Sequence, residues 1–513
     1  MALAVVRSAT VVGVEGRLVD VQVDVGRGLP GFTVVGGASP VVREGRDRVR
    51  SALRNAGFAF PAARVTVNLA PAGLPKGGTH FDLAMALGLL LASGQLRPPA
   101  GGWEETLVLG ELALDGRVLP VHGALPMALA ARARGFRRAL VAPGNAAELE
   151  LLPDWEVRTL ERLAQLASPG PAPVAKQAWA SGGSRPRARG EEAGGRPVLL
   201  EEIVGQAAAK KALELVAAGG HHLLLSGPPG VGKSMLGQAL PALLPPLEGE
   251  ERLERAAVAS AAGLGLALER PFRAPHHSAT LAAVIGGGAA LRPGEATLAH
   301  TGILFLDEAG EFAPEVLEAL REPLESGEIR LARSWGTVRL PARFTLVATR
   351  NLCPCGRRGA PGQFCQCRPW EVQRYEARLS GPLLDRIDLH VRVEGEPVRE
   401  FRPARTAEVL ERVARARELQ RRRGGPENGR LEGALLRELA PLEAEAERTL
   451  ERLRAAGFLS LRSRDRLHRV ARTLADLEGR ERIEAGDVAL AAQLCRPLRL
   501  EPPAGGEAGF RPA

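Results

Sequence analysis

The spacing of apolar positions divides the chain into distinct segments. In the first 166 residues, short strand-like runs alternate with longer segments in which apolar residues recur every three or four positions. The strand-like runs cover 64–70, 106–114 and 139–143, and the helical patterns cover 42–58, 81–94 and 125–136. This mixture predicts an α/β domain.

A stretch rich in proline, glycine, serine and arginine follows, and its lack of any apolar period predicts a flexible linker. Beyond it, short apolar runs and helical segments alternate again, until the pattern becomes wholly helical near residue 401. The predicted division is an α/β domain at 1–166, a linker at 167–197, a second α/β unit at 198–400, a helical lid at 401–500 and a tail at 501–513.

The chain is basic. Its 513 residues carry a formal net charge of +9, with a pI near 10.0. This charge permits a polyanionic partner, but a solvated basic surface explains it equally well. No long uncharged apolar run is present, and the first residues alternate like strands, unlike a signal peptide. We therefore expect a cytoplasmic protein without a membrane partner.

The second α/β unit opens with a phosphate-binding motif. An apolar run at 221–227 leads into GPPGVGKS, which fits G-x-x-x-x-G-K-[ST] and precedes a helical pattern. In such a turn the backbone N–H groups point at a phosphate, the lysine reaches the β- and γ-phosphates, and the serine ligates Mg²⁺. The motif consists of Gly227, Pro228, Pro229, Gly230, Val231, Gly232, Lys233 and Ser234.

Two later apolar runs lead to polar residues that suit the same chemistry. The run at 303–308 ends in Asp307, which can hold Mg²⁺, and Glu308, which can polarise the attacking water. The run at 344–349 leads to Asn351, which can orient that water or sense the γ-phosphate. An asparagine that only caps a turn would show the same pattern.

Arg386 lies in a short loop with acidic neighbours. An arginine offered across a subunit boundary can stabilise the charge that develops during phosphoryl transfer. The alternative is an ordinary surface ion pair with Asp385 or Asp388.

Four of the five cysteines lie in the stretch NLCPCGRRGAPGQFCQC at 351–367. Cys353, Cys355, Cys365 and Cys367 form two Cys-x-Cys pairs, and the spacer contains glycine and proline that allow it to fold back. Four thiolates suit a closed, structural zinc site. Reduced free thiols and a redox switch are the alternatives. A zinc ion here would brace the loop that follows Asn351.

The order of these motifs resembles that of AAA+ ATPases, and longer segments resemble the ComM/YifB family of magnesium-chelatase-like proteins. Segments that carry the likeness include GLPGFTVVG at 28–36, PFRAPHHSAT at 271–280 and RLSGPLLDRIDLHV at 378–391. The resemblance implies a three-layer α/β/α core that binds ATP and Mg²⁺ between the subunits of a homo-oligomeric ring, a hexamer. It also implies a helicase that promotes branch migration of single-stranded or branched DNA in natural transformation.

The same likeness assigns roles to single residues. Asn351 takes the sensor-1 position and Arg386 the arginine finger. Arg462, at the start of a lid helix, takes the sensor-2 position, with Arg464 and Arg466 as alternatives. The family also has a hairpin before sensor 1, and residues 328–344 fit it, with Arg333 or Trp335 near the turn for contact with phosphates or bases. A surface hairpin with a packed tryptophan is the alternative.

The first domain resembles the proteolytic domain of Lon, in residues 111–143 and in PKGGTHFD. Peptidase chemistry of that type needs a serine activated by a lysine. His80 stands where the serine is expected, beside Thr79, and Lys76 is the one lysine before the linker. We expect a Lon-like fold without peptidase activity. A chelatase-like remodelling ATPase and an ATP-dependent protease are the alternatives to a DNA motor.

Overall fold

The computed structural model describes residues 2–97, 103, 105–167, 198–288, 291–333, 335–395, 404–455 and 460–495. The predicted linker, apart from residue 167, and the predicted tail lie outside these residues. None of the described helices combines the length and the apolar composition needed to cross a lipid bilayer.

The first domain is built around a seven-stranded mixed sheet with the strand order β3-β4-β2-β1-β5-β8-β9. Strands β1 and β2 form a long antiparallel hairpin whose turn contains Gly13 at φ +67°, a conformation that favours glycine. The strands are β1 Ala2–Val12, β2 Glu15–Gly26, β3 Gly31–Val35, β4 Arg64–Ala70, β5 Thr106–Val108, β6 Glu111–Leu112, β7 Val118–Leu119, β8 Arg138–Val141 and β9 Glu156–Thr159. The helices are α1 Pro40–Asn55, α2 Asp82–Ala92, α3 Ala124–Arg132 and α4 Pro143–Leu149.

The second unit is built around a five-stranded parallel sheet with the order β11-β14-β17-β10-β18. Its strands are β10 Leu223–Ser226, β11 Phe272–Arg273, β14 Ile303–Leu306, β17 Thr345–Arg350 and β18 Leu389–Arg392. Two hairpins lie outside this sheet: β12 Gly286–Gly287 pairs with β13 Arg292–Pro293, and β15 Glu328–Arg333 pairs with β16 Gly336–Pro341. The helices are α5 Ala207–Gly219, α6 Lys233–Ala239, α7 Gly249–Ala261, α8 Leu281–Ile285, α9 Glu295–Leu298, α10 Pro314–Ala319, α11 Arg321–Ser326, α12 Pro369–Glu376 and α13 Gly381–Leu384.

Alternate residues of the central strands face two different cores. Leu223 and Leu225 of β10 pack with α5 and the lid, whereas Leu224 packs on the opposite face with residues of α8 and α10. A sheet buried on both faces reads as a continuous apolar run, as the run at 221–227 does. This arrangement is the predicted α/β/α core.

The C-terminal part is wholly helical, as predicted. It contains α14 Thr406–Arg422, α15 Gly433–Leu439, α16 Ala444–Ala455, α17 Leu461–Leu477 and α18 Ala485–Leu494. An ion-pair cluster attaches it to the sheet: Asp388 lies 3.1 Å from Arg469 of α17 and 3.3 Å from His221. Asp388 is buried. Burial alone would raise the pKa of Asp388, but the positive charge of Arg469 and the hydrogen bond with His221 bring it well below its usual range.

Several predicted elements differ in extent. The strand expected over 106–114 is divided into β5 and β6. The apolar pattern at 200–220 predicts one helix, but α5 begins only at Ala207: a 3₁₀ turn covers Leu200–Glu202, and Gln206, with φ +60°, is outside the right-handed helical region. One long pattern in the lid contains two helices, α15 and α16, separated around Pro441, which cannot supply an N–H to a continuous helix.

Two contacts join the first domain to the second. The backbone N–H of Gly123 donates to the Ser260 carbonyl at 2.9 Å, and the Ser260 hydroxyl donates to the buried Glu148 carboxylate at 2.5 Å. At the other contact, the β1–β2 turn packs against the β15–β16 hairpin: a Cβ at Gly13 would lie 2.7 Å from a Leu340 methyl carbon and 2.8 Å from Val338. The first domain therefore contacts the base of the hairpin predicted at 328–344.

Candidate nucleotide-binding site

The phosphate-binding motif forms the turn between β10 and α6. Gly230 and Gly232 have φ +81° and φ +87°, so both need the left-handed conformation that glycine adopts without strain. Gly227 is required for a different reason, because a Cβ there would lie 2.2 Å from the Val393 carbonyl oxygen beyond β18. The turn is thus packed directly on a neighbouring strand.

Lys233 links the phosphate loop to the predicted sensor. Its buried Nζ donates to the carbonyls of Gly227 at 2.9 Å and Pro228 at 2.7 Å, and to Oδ1 of Asn351 at 3.1 Å. Burial lowers the pKa of Lys233, and the negative charges of Asp307 and Glu308 oppose that shift. The lysine and Asn351, which are far apart in sequence, therefore meet at one point.

The predicted magnesium ligands lie together. The Ser234 hydroxyl donates to Oδ1 of Asp307 at 3.0 Å, so a hydroxyl and a carboxylate oxygen point to the same position. Such hard oxygen ligands fit Mg²⁺, which keeps most of its coordination for water and phosphate oxygens. Glu308 is exposed and has φ +53°, a left-handed conformation that is uncommon for a non-glycine residue.

Thr349, the last residue of an apolar run, is a site residue that the sequence reasoning missed. Its hydroxyl donates to Oδ1 of Asp307 at 2.6 Å and accepts from the Glu308 N–H at 2.9 Å. It therefore fixes both carboxylate residues at once. The neighbouring Arg350 is also buried, and its Nε donates to the Ser226 hydroxyl at 2.9 Å, next to the phosphate loop. A polar residue at the end of a buried strand is the signal that would have found them.

Arg386 is bonded to residues outside the phosphate loop of its own chain. Its guanidinium contacts Glu325 of α11 at 2.5 Å and donates to the Pro382 carbonyl at 2.8 Å. The alternative pairing with Asp385 or Asp388 is not found, since Asp388 belongs to the lid contact. Among the described residues, no hydrogen bond or ion pair joins Arg386 to the phosphate motif.

Arg462 meets Arg386 at the same carboxylate. Its side chain is 71% exposed, and Nη2 lies 3.8 Å from Oε1 of Glu325. The two other arginines considered for the sensor-2 position have different partners: Arg464 pairs with Glu451 at 3.5 Å, and the buried Arg466 donates to the carbonyls of Ile387 and Cys495. Arg462 is therefore the most solvent-accessible of the three.

The four clustered cysteines lie close together. All four Sγ atoms lie within 4.8 Å of one another. Three Sγ–Sγ separations are 3.4, 3.7 and 3.6 Å, for the pairs 353–355, 355–365 and 365–353. A tetrahedral zinc with Zn–S bonds of about 2.3 Å separates its sulfurs by roughly 3.8 Å. The Arg358 N–H also donates to the Cys353 sulfur at 3.4 Å.

The hairpin predicted at 328–344 is present as β15 and β16. Ser334 at its turn lies outside the described residues. Trp335 is 42% exposed, so it is not a packed core residue. Arg333 donates through Nη2 to the Gly288 carbonyl at 3.1 Å, which connects this hairpin to the β12–β13 hairpin. Sequence reasoning missed the second hairpin, because strands of two residues leave little periodicity.

Polar groups of the first domain are engaged in its own structure. Lys76 is buried and donates to the carbonyls of Gly36 at 2.8 Å, Leu74 at 3.0 Å and Pro71. The Thr79 hydroxyl donates to Glu111 at 2.5 Å. The His80 ring is buried, and this burial lowers its pKa to about 4. The lysine ammonium is thus tied to backbone carbonyls.

A parallel sheet whose strand ends bring together a phosphate loop, an acidic pair and a polar sensor defines a P-loop ATPase site of the AAA+ class. Family models agree. Residues 199–401 match the model described as magnesium chelatase, subunit ChlI; residues 21–145 match subunit ChlI of Mg-chelatase; and residues 403–495 match the C-terminal part of that subunit.

Relatives match over nearly the whole chain. An uncharacterised protein of Mycobacterium tuberculosis is 44% identical over 507 residues, covering 96% of this chain and 98% of the relative. The competence protein ComM of Haemophilus influenzae is 41% identical over 500 residues (94% and 95%), and YifB of Escherichia coli is 41% identical over 487 residues (93% and 94%). The chain belongs to the ComM/YifB family of magnesium-chelatase-like AAA+ proteins.

The likeness of the first domain to Lon is also found. A Lon protease of Salinispora arenicola is 30% identical over 169 residues, which cover 31% of this chain and 21% of that protein. The predicted fold class, with a Lon-like α/β domain, an AAA+ core and a helical C-terminal part, is confirmed.

Thr349→Val should impair ATP hydrolysis through Asp307, because valine keeps the shape of threonine but loses the hydroxyl that holds the carboxylate. We expect a loss of about 10- to 100-fold in kcat or in Mg²⁺ affinity. The measurement is steady-state hydrolysis across a Mg²⁺ titration. Thr345→Val, on the same strand, is the control and should stay near the parent. Equal behaviour of the two variants would show that the Thr349 hydroxyl has no positioning role.

Proposed function

We propose that this protein is an ATP-hydrolysing ring motor that acts on DNA in the cytoplasm and promotes branch migration during recombination. The convergence of Lys233, Ser234, Asp307, Glu308 and Asn351 at one edge of the sheet supports the ATPase part of this proposal. The DNA part is supported by the exposed hairpin and by the similarity to a relative named competence protein ComM.

Each residue of the nucleotide site has its own role in the proposed ATP hydrolysis. Lys233 and the backbone of the phosphate loop bind the β- and γ-phosphates, and Ser234 and Asp307 hold Mg²⁺, which neutralises charge that develops on the phosphates. Glu308 is exposed to solvent, and it accepts the proton of the attacking water. Asn351, now hydrogen-bonded to Lys233, is placed to contact the γ-phosphate when nucleotide displaces that bond.

Arg386 and Arg462 complete the site of a neighbouring subunit. Both pair with Glu325, which lies outside the phosphate-binding motif. A ring, with six subunits by family likeness, would bring this pair of arginines to the next subunit's nucleotide. Homo-oligomerisation is then a requirement of catalysis.

A mixing experiment tests this arrangement. Arg386→Ala alone should lower hydrolysis by about 10³-fold or more, the usual contribution of an arginine finger, and Lys233→Ala alone should be inactive. Mixed rings should regain hydrolysis, because a Lys233→Ala subunit offers its intact arginine to an intact phosphate loop next to it.

Arg321→Ala is the control, because Arg321 lines the same surface cleft as Glu325 and Arg386. This variant should retain hydrolysis on its own. Mixed rings that stay inactive, although size measurement shows that they form, would place Arg386 in its own chain's site.

The hairpin supplies the proposed DNA contact. Arg330 and Arg339 are 55% and 64% exposed, and they flank Glu328 at 3.9 Å each, so one carboxylate stands against two guanidinium groups. Trp335 is exposed beside Arg333 at the turn. Basic side chains next to an aromatic ring suit single-stranded DNA: the arginines can bind its phosphates, and its bases can stack on the tryptophan ring.

Forked or four-way DNA should stimulate ATP hydrolysis, and a labelled fork should be unwound. Arg333→Ala should weaken the DNA stimulation while the DNA-free rate stays close to that of the parent, since the Arg333 guanidinium bonds to the Gly288 carbonyl and not to the phosphate loop. ATP hydrolysis across a DNA titration measures both effects.

Arg54→Ala removes one exposed arginine from α1 in the first domain, so it is matched in charge. This control should respond to DNA like the parent. A flat response of the parent to every DNA substrate would contradict the DNA motor.

A chelatase-like remodelling ATPase is the second candidate, because all three matching family models describe ChlI. Hydrolysis stimulated by a porphyrin and partner subunits, and not by DNA, would favour it. We do not propose a protease, since the Lys76 ammonium is bonded to three backbone carbonyls and His80 stands where the serine of the Lon dyad is expected.

We also propose that Cys353, Cys355, Cys365 and Cys367 hold a structural Zn²⁺. Their sulfur separations fit a tetrahedral site, and four thiolates leave no open position for chemistry. Protein purified without chelator should contain about one zinc per chain, measured by elemental analysis. Cys365→Ser should lose it, whereas Cys495→Ala, at the lid cysteine, should keep it. Zinc-free parent protein would contradict the site.

A further inference from the structure

The cysteine loop lies against the phosphate loop. Gly356, next to Cys355, is buried at φ +75°, and a Cβ there would lie 3.1 Å from Cγ and 3.2 Å from Cδ of Pro229. Pro229 is the third residue of the phosphate-binding motif. The backbone of the cysteine loop therefore faces the proline ring with only a glycine's space between them.

The start of the same loop is attached to the sensor. Cys353 follows Asn351 by two residues, and Leu352 and Cys353 are buried. Asn351 in turn accepts the hydrogen bond from Lys233. The loop thus contacts the nucleotide site at two points, through Asn351 at one end and through Gly356 further along.

The far side of the loop rests on the end of β18. A Cβ at Gly395 would lie 3.3 Å from Cγ of Pro361, and one at Gly359 would lie 3.4 Å from Nη2 of Arg392. Val393 lies between Arg392 and Gly395 in the sequence, and its carbonyl is the group that approaches Gly227. The cysteine loop therefore contacts both the end of β18 and the phosphate loop.

Little apolar packing holds this loop in place. Phe364, its one large aromatic side chain, is 89% exposed, and residues 351–368 contain no helix or strand. A segment of this kind gains little from burial and loses much chain entropy on ordering. A metal ion bound by four cysteines of the loop offsets this entropy cost, because the free energy of metal binding contributes to folding of the loop.

We propose that the zinc-held cysteine loop is a positioning element for nucleotide binding: it presses on Pro229 and fixes Asn351, so that the phosphate loop is held in its binding geometry. This inference rests on the proposed zinc site. It assigns the metal a consequence for ATP affinity, independent of DNA.

Two glycines of the loop allow a matched test. Gly356 and Gly362 have nearly the same left-handed backbone, φ +75° and φ +70°, but a Cβ at Gly362 meets nothing within 4 Å. Gly356→Ala and Gly362→Ala therefore impose the same backbone strain, and only the first adds a methyl group against Pro229. Gly356→Ala should weaken ATP binding about tenfold, since overpacking at a rigid contact has effects of this size.

The measurement is titration of each full-length variant with a fluorescent ATP analogue, without DNA, together with its zinc content. Gly362→Ala should bind like the parent, and both variants should keep about one zinc per chain. Equal nucleotide affinity of the two alanine variants would overturn the proposal.

Removal of the metal gives a second, independent arm. Cys365→Ser should lose zinc and bind the ATP analogue more weakly by at least the same factor as Gly356→Ala, and Cys495→Ala should retain both properties. Loss of zinc with unchanged ATP affinity would leave the zinc site intact and overturn its positioning role. Because DNA is absent from these measurements, their outcome is separate from that of the proposed motor function.

Discussion

The parallel alignment of β14, β17 and β10 is the constraint on which the nucleotide site depends. Adjacent registers place Leu306 beside Ala348 and Ser226 beside Arg350. The residues that follow these strands therefore emerge at one edge, in the space where a parallel sheet binds its ligands. Hydrogen bonds then fix the details: Thr349 holds Asp307, and Lys233 joins Asn351. None of these contacts would form if one strand were shifted by a single residue.

Much of this edge could be predicted because its signals are local. The phosphate motif and the acidic pair are each encoded in consecutive residues after an apolar run, and their positions follow from the strand pattern. The roles of Thr349 and Glu325 could not be predicted in this way. Thr349 acts on a residue of another strand, and Glu325 contacts arginines from two distant segments. Such contacts depend on how helices and strands pack, which apolar spacing does not specify.

The same limit applies to the relation between domains. The alternation at 1–25 predicts strands, but nothing in it shows that the turn at Gly13 packs on Val338 and Leu340. Because Val12 and Val14 share one apolar cluster with the hairpin, the base of the hairpin is anchored to the Lon-like domain. Motion of the hairpin relative to the sheet is then confined to the turn beyond this anchor, or it carries the first domain along. The Lon-like fold is used here as a support for the hairpin.

The ion pairs at Glu325 have a consequence for assembly. One carboxylate serves as counter-ion for two guanidinium groups, Arg386 and Arg462, so these two ion pairs together leave one positive charge in excess. Since Arg386 is largely buried, that charge is poorly screened by salt. In the ring proposed above, a triphosphate on the adjacent subunit would supply the missing negative charge. In such a ring, bound nucleotide would hold neighbouring subunits together electrostatically as well as drive the motor, and its hydrolysis would weaken the interface at which it occurs.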